Sequence, residues 1–326
     1  MNTKTISIAI GIVLLAGIGA LYYYLANAPE GEQNLPPIEQ IQTQESQDIE
    51  NENGQENIPP QEGENSELPA VEGQTEETKN KEQTIIGKSV QGRDIVAYHF
   101  GAGAKEILFV GGIHGGYAWN TALLAYQLID RLKNNQNDIP ANVKITVIPV
   151  LNPDGLAKVV GGEGEFTAGD VSTSADTAMA RFNGNNVDLN RNFDCEWQAK
   201  AVWQSKTVSG GAAPFSEPES AAIRDYAQSH QIFAVVAWYT SGGGVYSASC
   251  NNGVLPEIQT LTNTYAQASG YAAHSNFESY RVSGDMTDWF AKNNTPAIGV
   301  LLTAADNTEW TKNWAGCQAV IDHISK

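Results

Sequence analysis

The chain has 326 residues and a formal net charge of −18. So large an acidic surplus excludes nucleic-acid binding as the main function, because neutralising phosphates requires clustered lysine and arginine. The acid is also uneven: between Pro29 and Glu82 fifteen acidic residues face only Lys79 and Lys81, so this length of chain carries most of the imbalance and the remainder alone can build a large core.

In chain order, residues 1–28 contain Ile6 to Leu25, an uncharged run of the length a helix needs to cross a bilayer. This predicts a transmembrane signal-anchor. Lys4 precedes the run and Glu30 and Glu32 follow it, which places the amino terminus inside and the rest of the chain on the extracytoplasmic side. Ala26-Asn27-Ala28 has the small-residue form that signal peptidase cuts, so secretion after cleavage near Ala28 is the alternative. The length of the apolar run favours the anchor. Residues 29–83 are Glu, Gln, Asn and Pro with isolated aliphatics and no aromatic residue, too little apolar surface to offset the entropy of folding. They predict a disordered spacer, extended by like-charge repulsion.

Residues 84–326 alternate strand and helix signals. Thr84 to Ile86 and Asp94 to Phe100 flank the turn signal Gln91-Gly92, as in a hairpin. Ile107 to Val110, Val143 to Val150, Phe233 to Trp238 and Ala297 to Leu302 are short apolar runs, the pattern of strands buried on both faces. Helical patterns lie between them, at Ala118 to Asn134, Glu217 to Ser229, Leu255 to Ser269, Met286 to Lys292 and Trp310 to Ile324. The interleaving predicts an α/β sheet covered on both faces, with its site at the carboxyl ends of the strands.

Those ends carry the informative residues. Gly111-Gly112-Ile113-His114 follows one strand, the Asn152-Pro153-Asp154-Gly155 turn follows the next, and Tyr239-Thr240-Ser241 and Leu302-Thr303 follow the others. Together with NNVDLNRNFD at Asn185 to Asp194, PFSEPES at Pro214 to Ser220 and YRVSGDMTDW at Tyr280 to Trp289, these stretches resemble, in order and spacing, the zinc carboxypeptidases of the carboxypeptidase A type. The resemblance covers nearly all of residues 84–326. It implies an eight-stranded, mixed and mostly parallel sheet with helices on both faces and a metal cleft at the strand ends. In active members two histidines and a glutamate hold zinc with one position open for water, a further glutamate is the general base, and arginines bind the oxyanion and the substrate's terminal carboxylate.

By that resemblance the binding half is retained. Arg181 stands at the oxyanion position, Asn190 and Arg191 at the carboxylate clamp, and Tyr280 at the place of the mobile tyrosine. A planar guanidinium at Arg191 suits bidentate pairing with a carboxylate. Thr287 marks the pocket for the terminal side chain, and a small neutral residue there predicts no strong preference for either charge. The catalytic half is lost. His114 matches the first zinc ligand, but the glutamate position falls on Tyr117, or on Ala118 if the motif is one residue longer. The second histidine position holds Tyr239, a phenol that ligates zinc poorly at neutral pH, and the general-base position holds Leu301. His99, His230, His274 and His323 match no ligand position, His230 and His323 reading as solvated helix residues. Asp306 and Glu309 fall in the loop before the last helix. Cys195 and Cys250, each just beyond a motif bordering the cleft, are expected to pair in an exported domain, leaving Cys317 buried in the last helix.

These residues point to a membrane-tethered pseudoenzyme that binds C-terminal carboxylates of peptides, cell-wall peptides among them, with no cofactor. The alternatives are an active zinc carboxypeptidase with unorthodox ligands and an interaction scaffold with an idle cleft.

Overall fold

The structure, a computed structural model, describes residues 82–251 and 253–326. The signal-anchor and nearly all of the spacer lie outside the described residues. Ten strands and six α-helices follow one another: β1 Gln83–Lys88, β2 Asp94–Phe100, β3 Lys105–Val110, α1 Trp119–Asn134, β4 Val143–Ile148, α2 Pro153–Val160, β5 Lys200–Trp203, β6 Lys206–Ser209, α3 Pro218–Ser229, β7 Ile232–Thr240, β8 Gly244–Ser247, α4 Pro256–Ser269, β9 Ala273–His274, α5 Met286–Lys292, β10 Ala297–Leu302 and α6 Trp310–Ser325. Among the described residues no helix is long and apolar enough to cross a membrane.

Eight strands form one sheet in the order β1-β2-β4-β3-β7-β10-β8-β9, and β5 pairs with β6 in a separate hairpin. The central strands β4, β3, β7 and β10 run parallel, as do β8 and β9, while β1, β2 and β8 join by antiparallel pairings. The mixed, mostly parallel sheet agrees with the expected α/β class. Burial explains the continuous apolar runs: Ile107 to Val110 and Ala234 to Trp238 are fully enclosed, covered on both faces as central parallel strands are. On α1, Ala122, Ala125, Leu128, Ile129 and Leu132 recur at helical spacing and turn one stripe into the core. Helices α4 and α6 pack so closely that a Cβ on Gly316 would lie 2.4 Å from the Tyr265 ring.

Three parts differ from the sequence expectation. The Asn152 to Gly155 stretch opens a helix and is not a free turn: the Asn152 side chain accepts a hydrogen bond from Gly155 N at 2.8 Å, Pro153 takes the first helical position, and Gly161 ends α2 with φ +69°. The same residue types start turns and cap helices, which is why the two readings coincide. The β5–β6 hairpin and the short strands β8 and β9 carry no apolar run long enough to announce them. Finally, β1 begins at Gln83, inside the stretch read as spacer.

The connection from β3 leads to β4 on one side, whereas that from β7 leads to β8 and β10 on the other. Such a change of direction opens a crevice at the carboxyl ends of the two neighbouring strands, and β3 and β7 deliver His114 and Tyr239 to it.

Candidate functional site

A cleft of about 890 Å³ opens there. Beyond β3, Gly112 takes φ +62° and the chain turns through His114 into a 3-10 turn at Gly115–Ala118. That turn sends Tyr117 to the cleft wall and Ala118 into the interior. His114 is 5% exposed, and neither ring nitrogen has a hydrogen-bond partner among the described residues. Burial, reinforced by the neighbouring charge of Arg181, holds its imidazole well below the usual histidine range.

One wall is cationic. Arg181 ends a 3-10 turn whose carbonyl accepts from the Asn152 amide at 3.0 Å, and its Nε donates to buried Asp188 at 2.8 Å. Its guanidinium stacks 4.6 Å from the Trp203 ring and 5.5 Å from that of Tyr117, so aromatic faces cover what the ion pair leaves open. Burial alone would raise the Asp188 carboxyl, but Arg181 and Arg191 outweigh it and hold it down to about 2. Asp188 also caps the turn Leu189–Arg191, accepting from Asn190 N at 3.2 Å. Arg191 is 1% exposed. Its Nε donates to Val202 O at 2.9 Å and its Nη1 to Asn190 O, and among the described residues no carboxylate lies within ion-pair distance of it. A buried cation satisfied only by carbonyls is costly unless an anion joins it.

The opposite wall is neutral and then acidic. Tyr239, at the end of β7, pairs in register with Leu301 of β10, and both face the cleft. Burial, then Asp285 and Asp288, raise the Tyr239 pKa well above the usual phenol, and a side-chain hydrogen bond with Thr287 works the other way. Thr287 lines the cleft as expected, and two carboxyl groups lie next to it. The Thr287 hydroxyl donates to Asp285 at 2.6 Å, and Asp288 stands beside it, its carboxyl raised by burial and by Asp285. Asp285 caps α5 and accepts from the Asn190 side chain at 2.6 Å, while Asn190 Oδ1 accepts from Met286 N at 3.0 Å. The two motif loops are thereby stitched together. Gly284 completes the seam at φ +66°, where a Cβ would lie 2.3 Å from Arg191 O. Tyr280 sits at the rim, edge-on to Phe277 at 5.0 Å.

The remaining candidates are elsewhere. His99 lies between Thr84 and Thr146, and His274 stacks on Tyr246 at 4.5 Å. His230 is not a solvated helix residue: it lies just past α3 and stacks on Tyr226 at 3.9 Å. His323 stands in the last turn of α6. Glu309 accepts from Tyr271 at 2.8 Å and from Thr303 N at 2.6 Å, a clip for the loop containing Asp306. Cys195 and Cys250 form the expected disulfide, with Cys195 against the cleft, and Cys317 is a buried free thiol.

The donor set does not fit zinc. Around His114 stand Tyr117, Tyr239 and Leu301, and among the described residues no group of three histidine, cysteine, aspartate or glutamate side chains converges as a metal site would require. The sequence reading missed Trp203 and the acidic pair Asp285 and Asp288. The β-branched and aromatic residues Val202, Trp203, Thr207 and Val208, split by the polar pair Gln204-Ser205, were a weak hairpin signal that could have found Trp203.

Comparison with known proteins gives a consistent picture. The profile of the zinc carboxypeptidase family matches residues 74–312. The gamma-D-glutamyl-L-diamino acid endopeptidase 1 of Lysinibacillus sphaericus is 27% identical over 246 residues, covering 69% of this chain and 61% of that protein. Carboxypeptidase D of Drosophila melanogaster is 23% identical over 276 residues, 71% of this chain and 19% of that one. The chain thus spans less than two thirds of these relatives. Among solved structures, carboxypeptidase A from Helicoverpa armigera aligns with a TM-score of 0.59 at 22% identity over 74% of this chain and 68% of its own. The murein-tripeptide amidase MpaA from Escherichia coli O157 aligns with a TM-score of 0.51 at 17% identity over 76% and 92%. At such identities the structural likeness concerns the fold.

Proposed function

This chain belongs to the zinc carboxypeptidase family, and we propose that it binds the C-terminal carboxylate of a peptide without hydrolysing it. The observation that carries the reading is Arg191, a guanidinium 1% exposed in the cleft wall and hydrogen-bonded only to backbone carbonyls. A carboxylate entering the cleft supplies a directly hydrogen-bonded anion, which Arg191 does not have among the described residues. Arg181 is already paired with Asp188 and holds the wall's shape and positive potential. Hydrolysis would need an activated water and a base, and the positions that would provide them carry Tyr117, Tyr239 and Leu301 beside a lone imidazole.

The sequence of Ile6 to Leu25 supports a membrane tether, with the binding domain held on the extracytoplasmic side by the acidic spacer. The Lysinibacillus sphaericus relative is named for a gamma-D-glutamyl-L-diamino acid linkage, which makes cell-wall peptides the first natural ligands to try.

Calorimetric titration with short peptides and their C-terminally amidated forms tests the reading. Preference for the free acid is expected, together with no stoichiometric zinc by elemental analysis and no release of terminal residues. Equal affinity for acid and amide sinks the clamp; chelator-sensitive release of C-terminal residues by zinc-loaded protein sinks the inactivity.

A further inference from the structure

We propose that the Cys195–Cys250 disulfide is a positioning element of the carboxylate clamp, so that ligand affinity depends on the bond staying oxidised. The inference rests on the carboxylate-binding reading and goes beyond it by tying affinity to a redox state.

Three loops meet around Arg191, and each pair of them has its own tie. Residues 188–196 carry Asn190 and Arg191, residues 248–251 follow strand β8, and residues 280–285 lead into α5. The first and third loops are joined by hydrogen bonds: Asn190 donates to Asp285 at 2.6 Å, Gly284 N to Cys195 O at 2.7 Å, and Phe193 N to Gly284 O at 3.1 Å. The second loop reaches α5 through Ser249 N, which donates to Asp288 at 2.8 Å. Between the first and second loops no hydrogen bond runs among the described residues. The tie there is covalent, with the Cα atoms of Cys195 and Cys250 6.0 Å apart.

The disulfide therefore closes a ring of contacts around the clamp. Cys195 on one side of it and Ser249 on the other both line the cleft with Arg191. Opening the bond leaves the Ser249 N–H as the link from the second loop to Asp288. Asp288 lies in the first turn of α5, whose cap is Asp285, and Asp285 holds Asn190, the neighbour of Arg191 in the chain. Freedom released at Cys250 thus passes through α5 to the clamp. The fold itself has other support, since the main-chain bonds between Gly284 and the loop of Arg191 need no disulfide, and the core runs through β3, β7 and β10. A site held in its bound geometry before the ligand arrives binds more tightly than one that must be ordered on binding.

Reduction of the full chain by dithiothreitol tests the proposal. The S–S bond breaks, two electrons and two protons pass from the dithiol to the two sulfurs, and the dithiol closes into a cyclic disulfide. Acetyl-alanyl-alanine and its C-terminal amide are the probes. The reduced chain should keep its far-ultraviolet circular dichroism and bind the free acid about tenfold less tightly than the oxidised chain, and reoxidation should restore the affinity. Cys195→Ala with Cys250→Ala should bind as the reduced chain does, with or without dithiothreitol. Linkage supplies a readout that a bond serving stability alone would not move. Saturating free acid should lower the equilibrium constant for reduction by the same factor of about ten, and the amide should leave it unchanged. Free-acid affinity unaltered by reduction, with the acid preference intact, overturns this inference alone. So does a reduced chain that loses its fold, because the bond then holds the domain and not the clamp. Equal affinity of the oxidised chain for acid and amide removes the carboxylate reading and the positioning role with it.

Discussion

The two ends of strand β3 treat buried polar groups in opposite ways. Near its start, Glu106 is 5% exposed yet fully engaged: Thr146 donates to it at 2.6 Å, Tyr226 at 2.5 Å, and Lys144 lies 3.2 Å away. His99 extends this network, bonded through Nδ1 to Thr146 at 3.0 Å and through Nε2 to Thr84 at 2.8 Å. Beyond the other end of the strand, the ring nitrogens of the equally buried His114 have no hydrogen-bond partner among the described residues, and no carboxylate among them hydrogen-bonds Arg191. A satisfied network fixes structure, whereas unsatisfied groups gathered in a cleft raise the free energy of the unliganded state and so favour whatever satisfies them. The difference separates the part of the sheet that holds the fold from the part that carries the proposed binding site.

The comparison can be broken most decisively by rebuilding the metal site. Tyr117→Glu with Tyr239→His should restore a two-histidine, one-carboxylate donor set around His114 and take the zinc content of purified protein to about one equivalent. Failure to gain zinc by elemental analysis would mean that the cleft geometry, and not only its residues, has diverged. Next in size, Arg191→Met should weaken binding of free-acid peptides by roughly 30-fold while leaving amidated peptides unaffected, as expected for loss of a charged hydrogen bond. Arg191→Lys should fall between the two, since it keeps the charge but not the fork.

At the satisfied end, stability and not binding should respond. Glu106→Ala leaves Thr146, Tyr226 and Lys144 without their acceptor and should destabilise by roughly 2 kcal/mol in urea unfolding, with peptide affinity unchanged. The smallest effect concerns pH. Burial, then Lys144, lower the His99 imidazole to about 4, below its unfolded value. The unfolded chain therefore binds one more proton than the folded chain between pH 6.5 and 4, and the stability contributed by neutral His99 is lost as pH falls through that window. His99→Gln should flatten the stability profile there, measured as urea midpoints against pH. An unchanged profile would show that His99 is not held neutral by this network.

Much of the architecture was legible because strands buried on both faces must be apolar throughout. Ile107 to Val110 and Ala297 to Leu302 stand out as such, and the β5–β6 hairpin does not, because its strand Lys200–Trp203 is short and half exposed. The site was legible where it depends on chain-local motifs. His114, Arg181, Asn190 and Arg191, Tyr239, Tyr280, Thr287 and Leu301 do meet in one cleft. What stayed hidden came from parts distant in sequence: Trp203 lying over Arg181, and Asp285 bonding Asn190 across 95 residues.

The amino-acid sequence by itself determined the α/β alternation and the position of the cleft at the strand ends, which follow from residue type and local spacing. The expectation that Cys195 pairs with Cys250, and the places of Tyr239 and Leu301, came from the motifs that resemble the family. Only the tertiary structure decided that Tyr117 and not Ala118 faces the cleft, that Asp285 and Asp288 stand beside Thr287, and that among the described residues Arg181 pairs with a carboxylate whereas Arg191 hydrogen-bonds backbone carbonyls. Charge compensation depends on which side chains converge in space, and that convergence is set by the packing of β3, β7 and the motif loops, beyond the reach of any local pattern.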